Sequence, residues 1–310
     1  MGCTRNRSPY RRDARRKAGL CPRAQLRQHQ ALSRPVVSRG RQGELTPEAG
    51  MAKYRLIAED RYGLEEGVLC SFDEITGFFT GALEDDMAER FEVDVLIPSY
   101  SPGEYMAALL PDGGKAIDNV SSLEVLGRDD TVLGVYHLMP STTRLVPEGL
   151  RCSFTTPGHR PFPEEEELWD MWRAGRPQTS GVWAQYGDRG RRAWLDVARQ
   201  RHVRTNGADR PDGSTFELDG THVTDSAGFF CALGEAINGP GGYYGKNLIA
   251  VDDCMSGGYG TAGGFTLIWH DLDVARRSWK PRLPYDPYYD PSLDRVLDRL
   301  AQFGVTVERR

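Results

Sequence analysis

A glycine- and tyrosine-rich turn leads into a short helix at Gly241-Gly-Tyr-Tyr-Gly-Lys-Asn-Leu-Ile-Ala-Val-Asp-Asp-Cys254. Asn247 is a residue type that caps helices, and an α-helix completes one turn every ~3.6 residues. Apolar positions at that spacing share one side, which is expected to face the core: Leu248, Val251 and Met255. Ile249 and Asp253 lie four residues apart on the opposite side. The spacing therefore predicts an exposed carboxylate beside the turn.

Strands and helices alternate on both sides of this turn. Thr215-Phe-Glu-Leu-Asp219 alternates as a strand, and Asp225 can cap a helix that is stopped at Gly239-Pro240. Further elements are predicted as a strand at 265–269, a helix from Leu272, a helix capped by Asp290 with Pro291 at its first position, and a strand at 305–307. Strands separated by helices favour a two-layer α/β domain with a small three-stranded parallel sheet.

Residues 51–204 show short apolar runs separated by turn signals. They predict strands at 53–58, 67–72, 91–98, 123–127, 132–138 and 150–155. Residues 163–204 favour connecting helices, whose tryptophans are expected to pack on the first domain or, alternatively, to line a ligand site: Trp169, Trp172 and Trp194. The chain thus divides into a β-rich or α+β domain at 51–204, a turn-rich linker at 205–214 and an α/β domain at 215–310.

The first fifty residues differ in composition from the rest. They hold 12 basic and three acidic residues with almost no apolar periodicity. A basic arm for nucleic acid and a targeting peptide are two interpretations. We favour a third, in which this leader is disordered or untranslated and Met51 is the true start.

Charge and cysteine content narrow the function classes. Residues 51–310 hold 27 basic and 41 acidic residues, which suits a basic partner protein and disfavours general binding of nucleic acid. No apolar run is long enough for a transmembrane helix. The six cysteines form no CxxC pair and the six histidines form no HExxH motif, so we expect no metal, no cofactor and reduced thiols in the cytoplasm. No nucleophile–base set can be assembled, so we expect no enzyme activity.

The pattern Tyr243-Tyr244-Gly245-x-Asn247-Leu248-x-Ala250-x-x-Asp253-Cys254 resembles the central motif of the barstar family of intracellular ribonuclease inhibitors. The resemblance covers residues 215–310 and includes the order of strands and helices. It implies a cytoplasmic inhibitor or immunity protein that binds a ribonuclease one-to-one. It also implies that active-site occlusion needs no cofactor, no membrane and no direct contact with nucleic acid.

The resemblance assigns roles to individual residues. Asp253 corresponds to the family's phosphate-mimicking aspartate and Tyr243 to its contacting tyrosine. Gly245 and Asn247 correspond to the loop that leads into the helix, and Tyr244 is expected to pack inward. The candidates for partner binding are Tyr243, Tyr244, Gly245, Asn247, Ile249, Asp252 and Asp253.

Three positions depart from the family's pattern. Ile249 stands in place of a second contacting aspartate, Asp252 in place of a tryptophan, and Arg299 in place of a contacting glutamate. These departures argue against carrying the particular target, barnase, over to this chain, and Ile249 offers an apolar contact to a different nuclease. The alternative is a non-inhibitory protein-binding scaffold whose main activity lies in residues 51–204.

Two further features have a structural interpretation beside the functional one. Gly245, Asn247 and Asp253 could serve only to cap and solubilise the turn–helix junction. The segment Pro284-Tyr-Asp-Pro-Tyr-Tyr-Asp-Pro291 is an insertion whose tyrosines could extend an interface, although a packed loop is favoured.

Overall fold

The computed structural model describes residues 52–59, 66–83, 90–103, 120–157, 160–202, 209–261, 263–279 and 288–310. These residues belong to one compact unit with one connected apolar core. The predicted leader at 1–50 and the first part of the predicted linker, 205–208, lie outside them. In the described part of the chain, no helix combines the length and the apolar character that crossing a membrane requires.

Two antiparallel sheets form the first part of the described chain. Their strands are β1 (Tyr54–Glu59), β2 (Glu66–Phe72), β3 (Arg90–Ile97), β4 (Ser101–Pro102), β5 (Val120–Leu126), β6 (Val132–His137), β7 (Met139–Val146) and β8 (Gly149–Pro157). One sheet has the order β4-β2-β1-β5-β6 and the other the order β3-β8-β7. In the central strand β1, Leu56 pairs with Cys70 on one side and Leu123 on the other, and all three are buried.

The β-rich character predicted for the N-terminal part is confirmed, because all six predicted strands are present with small shifts at their ends. Strand β7 is the long one that sequence reasoning missed. Pro140 interrupts its start, and the pairing with β8 shifts between Met139 and Thr142. Proline donates no ladder hydrogen bond and is accommodated at such bulges, which hides the strand in the sequence.

Helices follow the sheets within residues 163–204, as predicted. They are α1 (Pro163–Ala174), a short 3-10 helix (Val182–Gln185) and α2 (Asp188–Arg201). Helix α1 begins with proline at its first position, and Glu165 Oε1 accepts a hydrogen bond from Phe162 N at 2.9 Å. This contact satisfies a backbone donor that the helix start would otherwise leave unpaired.

The tryptophans pack these helices in two directions. Trp169 lies against β6, where its Nε1 donates to Tyr136 Oη at 2.8 Å. Gly134 makes room for it, since a Cβ there would stand 2.5 Å from Trp169 Cη2. Trp172 instead contacts the turn at Gly241, which belongs to the second part of the chain. The expected packing on the first domain therefore holds for Trp169.

Within residues 209–310, the described elements are β9 (Thr215–Asp219), α3 (Ser226–Asn238), α4 (Leu248–Met255), β10 (Thr266–His270), α5 (Leu272–Ser278), α6 (Leu293–Gln302) and β11 (Thr306–Arg309). The strands form a parallel sheet in the order β11-β10-β9, so the predicted three-stranded α/β architecture is confirmed. The middle strand β10 has a continuous buried apolar run, 267–269, which is typical of a parallel strand covered on both faces. The edge strand β9 alternates buried and exposed residues.

The predicted cap of the last helix at Asp290 is wrong. Ser292 caps α6, because its side chain accepts a hydrogen bond from Arg295 N at 3.2 Å. Asp290 is buried and accepts a hydrogen bond from Ser226 Oγ at 2.6 Å at the start of α3. Aspartate and serine both cap helices well. Because Asp290 is bound to Ser226, which is distant in sequence, Ser292 caps α6 instead.

Helix α2 joins the two parts of the described chain. Arg191 pairs with Asp225, which also caps α3 as predicted by accepting from Gly228 N at 2.7 Å. In the motif turn, Lys246 Nζ lies 2.6 Å from Oδ1 of the buried Asp196 of α2. The residues predicted as a helical connector are therefore an interface on which the α/β part packs.

Candidate protein-binding surface

The motif turn passes unusually close to helix α4. Gly245 has a φ of +96°, a conformation that L side chains rarely adopt. A Cβ at this position would stand 2.6 Å from Val251 Cγ2 and 2.7 Å from Val251 N. Glycine is therefore required both for the backbone angle and for the close approach.

Asn247 sets the start of α4. Its side-chain oxygen accepts a hydrogen bond from Ala250 N at 2.8 Å, which confirms the predicted cap. The side chain is only 7% exposed. Asn247 therefore orients the helix and has little surface of its own to offer a partner.

Both tyrosines of the motif turn pack inward. Tyr244 is fully buried against Phe265, as expected, with ring centroids 6.3 Å apart. Tyr243, the counterpart of the family's contacting tyrosine, is also buried, and its ring centroid lies 6.3 Å from those of His202 and Tyr259. Burial raises the pKa of both phenols well above their ordinary range, so they stay neutral. His202, at the end of α2, covers Tyr243 in this chain.

Helix α4 presents the exposed face that its spacing predicts. Its inward side is buried through Leu248, Val251, Cys254 and Met255. Ile249 is 44% exposed, and Asp253 is exposed one helical turn further along the same side. Among the described residues, none donates a hydrogen bond to the Asp253 carboxylate or forms an ion pair with it. The helix thus displays an apolar group and an available negative charge next to each other.

Two of the departures from the family pattern meet in space. Arg299 of α6 forms a two-pronged ion pair with Asp252, with Nε 2.9 Å from Oδ1 and Nη2 on Oδ2. The guanidinium also lies over the Phe303 ring, 4.9 Å from its centroid. The Asp252 carboxylate is therefore already bound by a residue of its own chain. The opposite charges at two altered positions were the signal that could have revealed this pair from the sequence.

Exposed tyrosines lie beside the start of α4. Tyr288 and Tyr289 are 44% and 39% exposed, so these two are not packed away as the favoured interpretation of their loop supposed. Leu248 N donates to Tyr288 O at 3.0 Å, which places the pair at the first turn of α4. Arg295 stacks over the Tyr288 ring at 5.3 Å. Residues 284–287 of the insertion lie outside the described part.

The surface of α4 offers contacts suited to a protein. We call the exposed groups on this helix and beside its first turn, Ile249, Asp253, Tyr288 and Tyr289, the α4 face. Three of the five large apolar side chains that the described residues expose belong to it. Nowhere in the described part do three or more His, Cys, Asp or Glu side chains cluster so as to hold a metal ion.

Residues 214–286 match the family Barstar (barnase inhibitor). The match lies in the C-terminal third of the chain, and the N-terminal region has no family match. No curated protein and no solved structure matches the chain. Residues 214–286 therefore resemble a ribonuclease-inhibitor domain, and the described residues of this segment pack on helix α2, which lies outside the family match.

Proposed function

We propose that this protein binds a ribonuclease one-to-one and blocks its active site with the α4 face. The observation that carries the proposal is the exposed carboxylate of Asp253, which has no partner among the described residues and lies on a helix fixed by Asn247. A ribonuclease active site is cationic because it binds phosphate. A carboxylate can take the phosphate position and be held there by arginine and lysine. Such occlusion needs neither a cofactor nor catalysis nor contact with nucleic acid.

The rest of the α4 face suits a protein partner. Tyrosine supplies a large, rigid contact area that often dominates binding, and Tyr288 and Tyr289 flank the carboxylate's helix. Ile249 replaces the second family aspartate, so the target nuclease should present an apolar group opposite it. The excess of acidic residues in 51–310 would speed the encounter with a basic nuclease.

We further propose that the protein acts in the cytoplasm, against the producer's own nuclease or a competitor's toxin. Three of the described cysteines, Cys70, Cys152 and Cys231, are buried free thiols. Burial raises the pKa of the Cys152 thiol to about 11, and it also raises the pKa values of the Cys70 and Cys231 thiols. Unpaired thiols are typical of a reducing compartment.

The test compares Asp253→Ala with wild type for binding of a nuclease captured by the full chain. A hydrogen-bonded charge contributes about 1.5–3 kcal/mol, so we expect binding to weaken by about tenfold to a hundredfold. Binding is measured by titration calorimetry, and loss of inhibition by a ribonuclease assay.

The matched control is Glu217→Ala, an exposed carboxylate on β9 whose side chain points away from the buried Phe216 and Leu218. It should leave binding unchanged. Equal effects of the two substitutions would contradict the phosphate-mimic role of Asp253.

A second candidate is a protein-binding scaffold that does not inhibit. Two observations favour it: Tyr243 is buried under the end of α2, and Asp252 is paired with Arg299. Both positions belong to the contacts that the family pattern implies. A nuclease that is captured by the chain yet remains fully active would identify the scaffold.

A further inference from the structure

Two arginines of α6 run alongside the α4 face. Arg295 lies over the Tyr288 ring, 5.3 Å from its centroid, and the Tyr288 carbonyl is bound to the first turn of α4. Arg299, one helical turn further along α6, reaches Asp252 in the second turn of α4. The hydrogen bond to Asp252 raises the pKa of Arg299, and Tyr288 adds to the shift electrostatically, so both guanidinium groups are close to Tyr288.

Within the described part of the chain, an ion pair balances one of these two charges and leaves the other open. Arg299 is bound to Asp252, and its Nη1 also donates to Gln302 Oε1 at 2.8 Å. Arg295 is exposed, and its guanidinium contacts the Tyr288 ring but no carboxylate of the described residues. Two arginines and one aspartate therefore leave this border of the α4 face with one positive charge.

The carboxylates of α6 itself lie on another part of its exposed surface. Asp294 and Asp298 are both exposed. At about 100° per residue, Asp298 lies about 60° around the helix from Arg295, in the direction away from Arg299. Asp294 lies about 100° from Arg295 in the same direction. Because Arg299 marks the side of α6 that meets α4, the arginines border the α4 face and the carboxylates are turned away from it.

The α4 face consequently has opposite charges at its two borders. Asp253 supplies a carboxylate on α4, and Arg295 supplies a guanidinium beside the exposed Tyr288. A partner that covers Tyr288 also comes against the guanidinium stacked on it. Removing that charge from water without a partner is costly. A carboxylate on the partner fits best, because a guanidinium binds it through two parallel hydrogen bonds.

We propose that the partner nuclease carries a carboxylate beside its cationic active site and that Arg295 selects for it. This inference rests on the proposed function and adds the chemistry of the nuclease surface opposite α6. A nuclease with a lysine or arginine at that place would be repelled, and such repulsion is a common source of specificity. Arg295 is then a specificity-determining residue, whereas Asp253 binds the phosphate site that ribonucleases share.

The experiment measures how tightly the full chain binds the ribonuclease that the immobilised chain retains. Calorimetric titration gives the dissociation constant, and stopped-flow mixing at low and high salt gives the association rate. The variants are Arg295→Gln and Arg295→Glu. Residue 295 is the third of α6 after its cap Ser292, where glutamine or glutamate completes a capping box. The helix start should therefore stay intact and the melting temperature should stay equal or rise.

Both variants should weaken binding. We expect about a twofold to fivefold loss for Arg295→Gln, since an exposed pair contributes little, and about a fivefold to thirtyfold loss for Arg295→Glu, since reversal adds repulsion. The difference between the two variants should shrink at high salt. The sign of the effect is decisive, because on overall charge alone a more acidic inhibitor would bind a basic nuclease faster and more tightly.

Arg144→Glu is the matched control. Arg144 is exposed on β7 of the antiparallel sheets, and its replacement changes the net charge of the chain by the same amount as Arg295→Glu. Because it does not border the α4 face, it should leave nuclease binding equal to that of wild type or slightly tighter.

Binding by Arg295→Glu that equals or exceeds that of wild type would overturn the proposal. Asp253→Ala separates this failure from a failure of the proposed function. If Asp253→Ala weakens binding and Arg295→Glu does not, the inhibitor role stands and the carboxylate opposite Arg295 is wrong. If neither substitution weakens binding, or if the chain retains no ribonuclease, the proposed function fails and this inference fails with it.

Discussion

Gly245 shows how one residue controls the geometry of the motif. Its positive φ and its contact with the backbone of Val251 bring the turn against α4, so that Asn247 can cap the helix. The tyrosines before it are then directed into the core. Gly245, which belongs to the recognisable motif, therefore also helps to bury the two tyrosines, which are then inaccessible to a partner protein.

Gly245→Ala is expected to lower the free energy of unfolding by about 2–5 kcal/mol. A left-handed angle costs a non-glycine residue about 1–2 kcal/mol, and overpacking against Val251 adds about 1–3 kcal/mol. Urea unfolding measures the change. Gly213→Ala is the control, since Gly213 has a φ of +78° in open space and should lose only the angle term. Equal losses would show that the close contact contributes nothing.

At the level of elements, α4 depends on its neighbours. It has eight residues, and isolated helices shorter than about 12 residues are marginal in water. Its cap, its buried side and the bridge from Asp252 to Arg299 of α6 hold it in place. The ion pair therefore ties the exposed helix to the last helix of the chain.

A double-mutant cycle of Asp252→Ala and Arg299→Ala should give a coupling energy of about 0.5–1 kcal/mol. The side chains are 24% and 32% exposed, so solvent screens the pair, while two-pronged geometry places it at the upper end for surface pairs. Unfolding in urea of the four proteins measures the coupling. The more exposed Lys53–Asp170 pair supplies the comparison and should give less. A coupling energy indistinguishable from zero would contradict the role of this ion pair in holding α4 against α6.

At the level of the whole molecule, Glu235 joins the two parts of the described chain. Its carboxylate accepts hydrogen bonds from Gly181 N at 2.7 Å and Trp183 Nε1 at 3.0 Å, both before the barstar-like segment. It also accepts from Gly241 N at 3.0 Å, at the start of the motif turn. Burial raises the pKa of Glu235 above its ordinary value, although these hydrogen bonds oppose the shift.

This shift predicts a pH dependence. The folded state holds the Glu235 proton more tightly than the unfolded state, so its contribution to stability is present below the ordinary pKa of 4.5 and is lost as pH rises through the raised pKa. The stability of wild type relative to Glu235→Gln should therefore fall as pH rises from about 4. Denaturant unfolding across this range measures it. A parallel experiment with Glu148→Gln, at an exposed turn, is the control, and identical pH profiles of the two variants would refute the prediction.

The sequence by itself determined the local features: the caps at Asp225 and Asn247, the buried side of α4, the exposed Asp253 and the alternation of strands and helices in the α/β part. These follow from periodicity and from residues only a few positions apart, so one segment contains all the information. The match to the Barstar family lies in the same segments.

Only the tertiary structure decided the rest. It paired Asp252 with Arg299, covered Tyr243 with the end of α2 and took Asp290 away from its expected cap. It also brought Thr156 and Lys246 to one cavity. Each of these contacts joins residues far apart in the chain. Their separation in space depends on how sheets and helices pack, which no local pattern of side chains specifies.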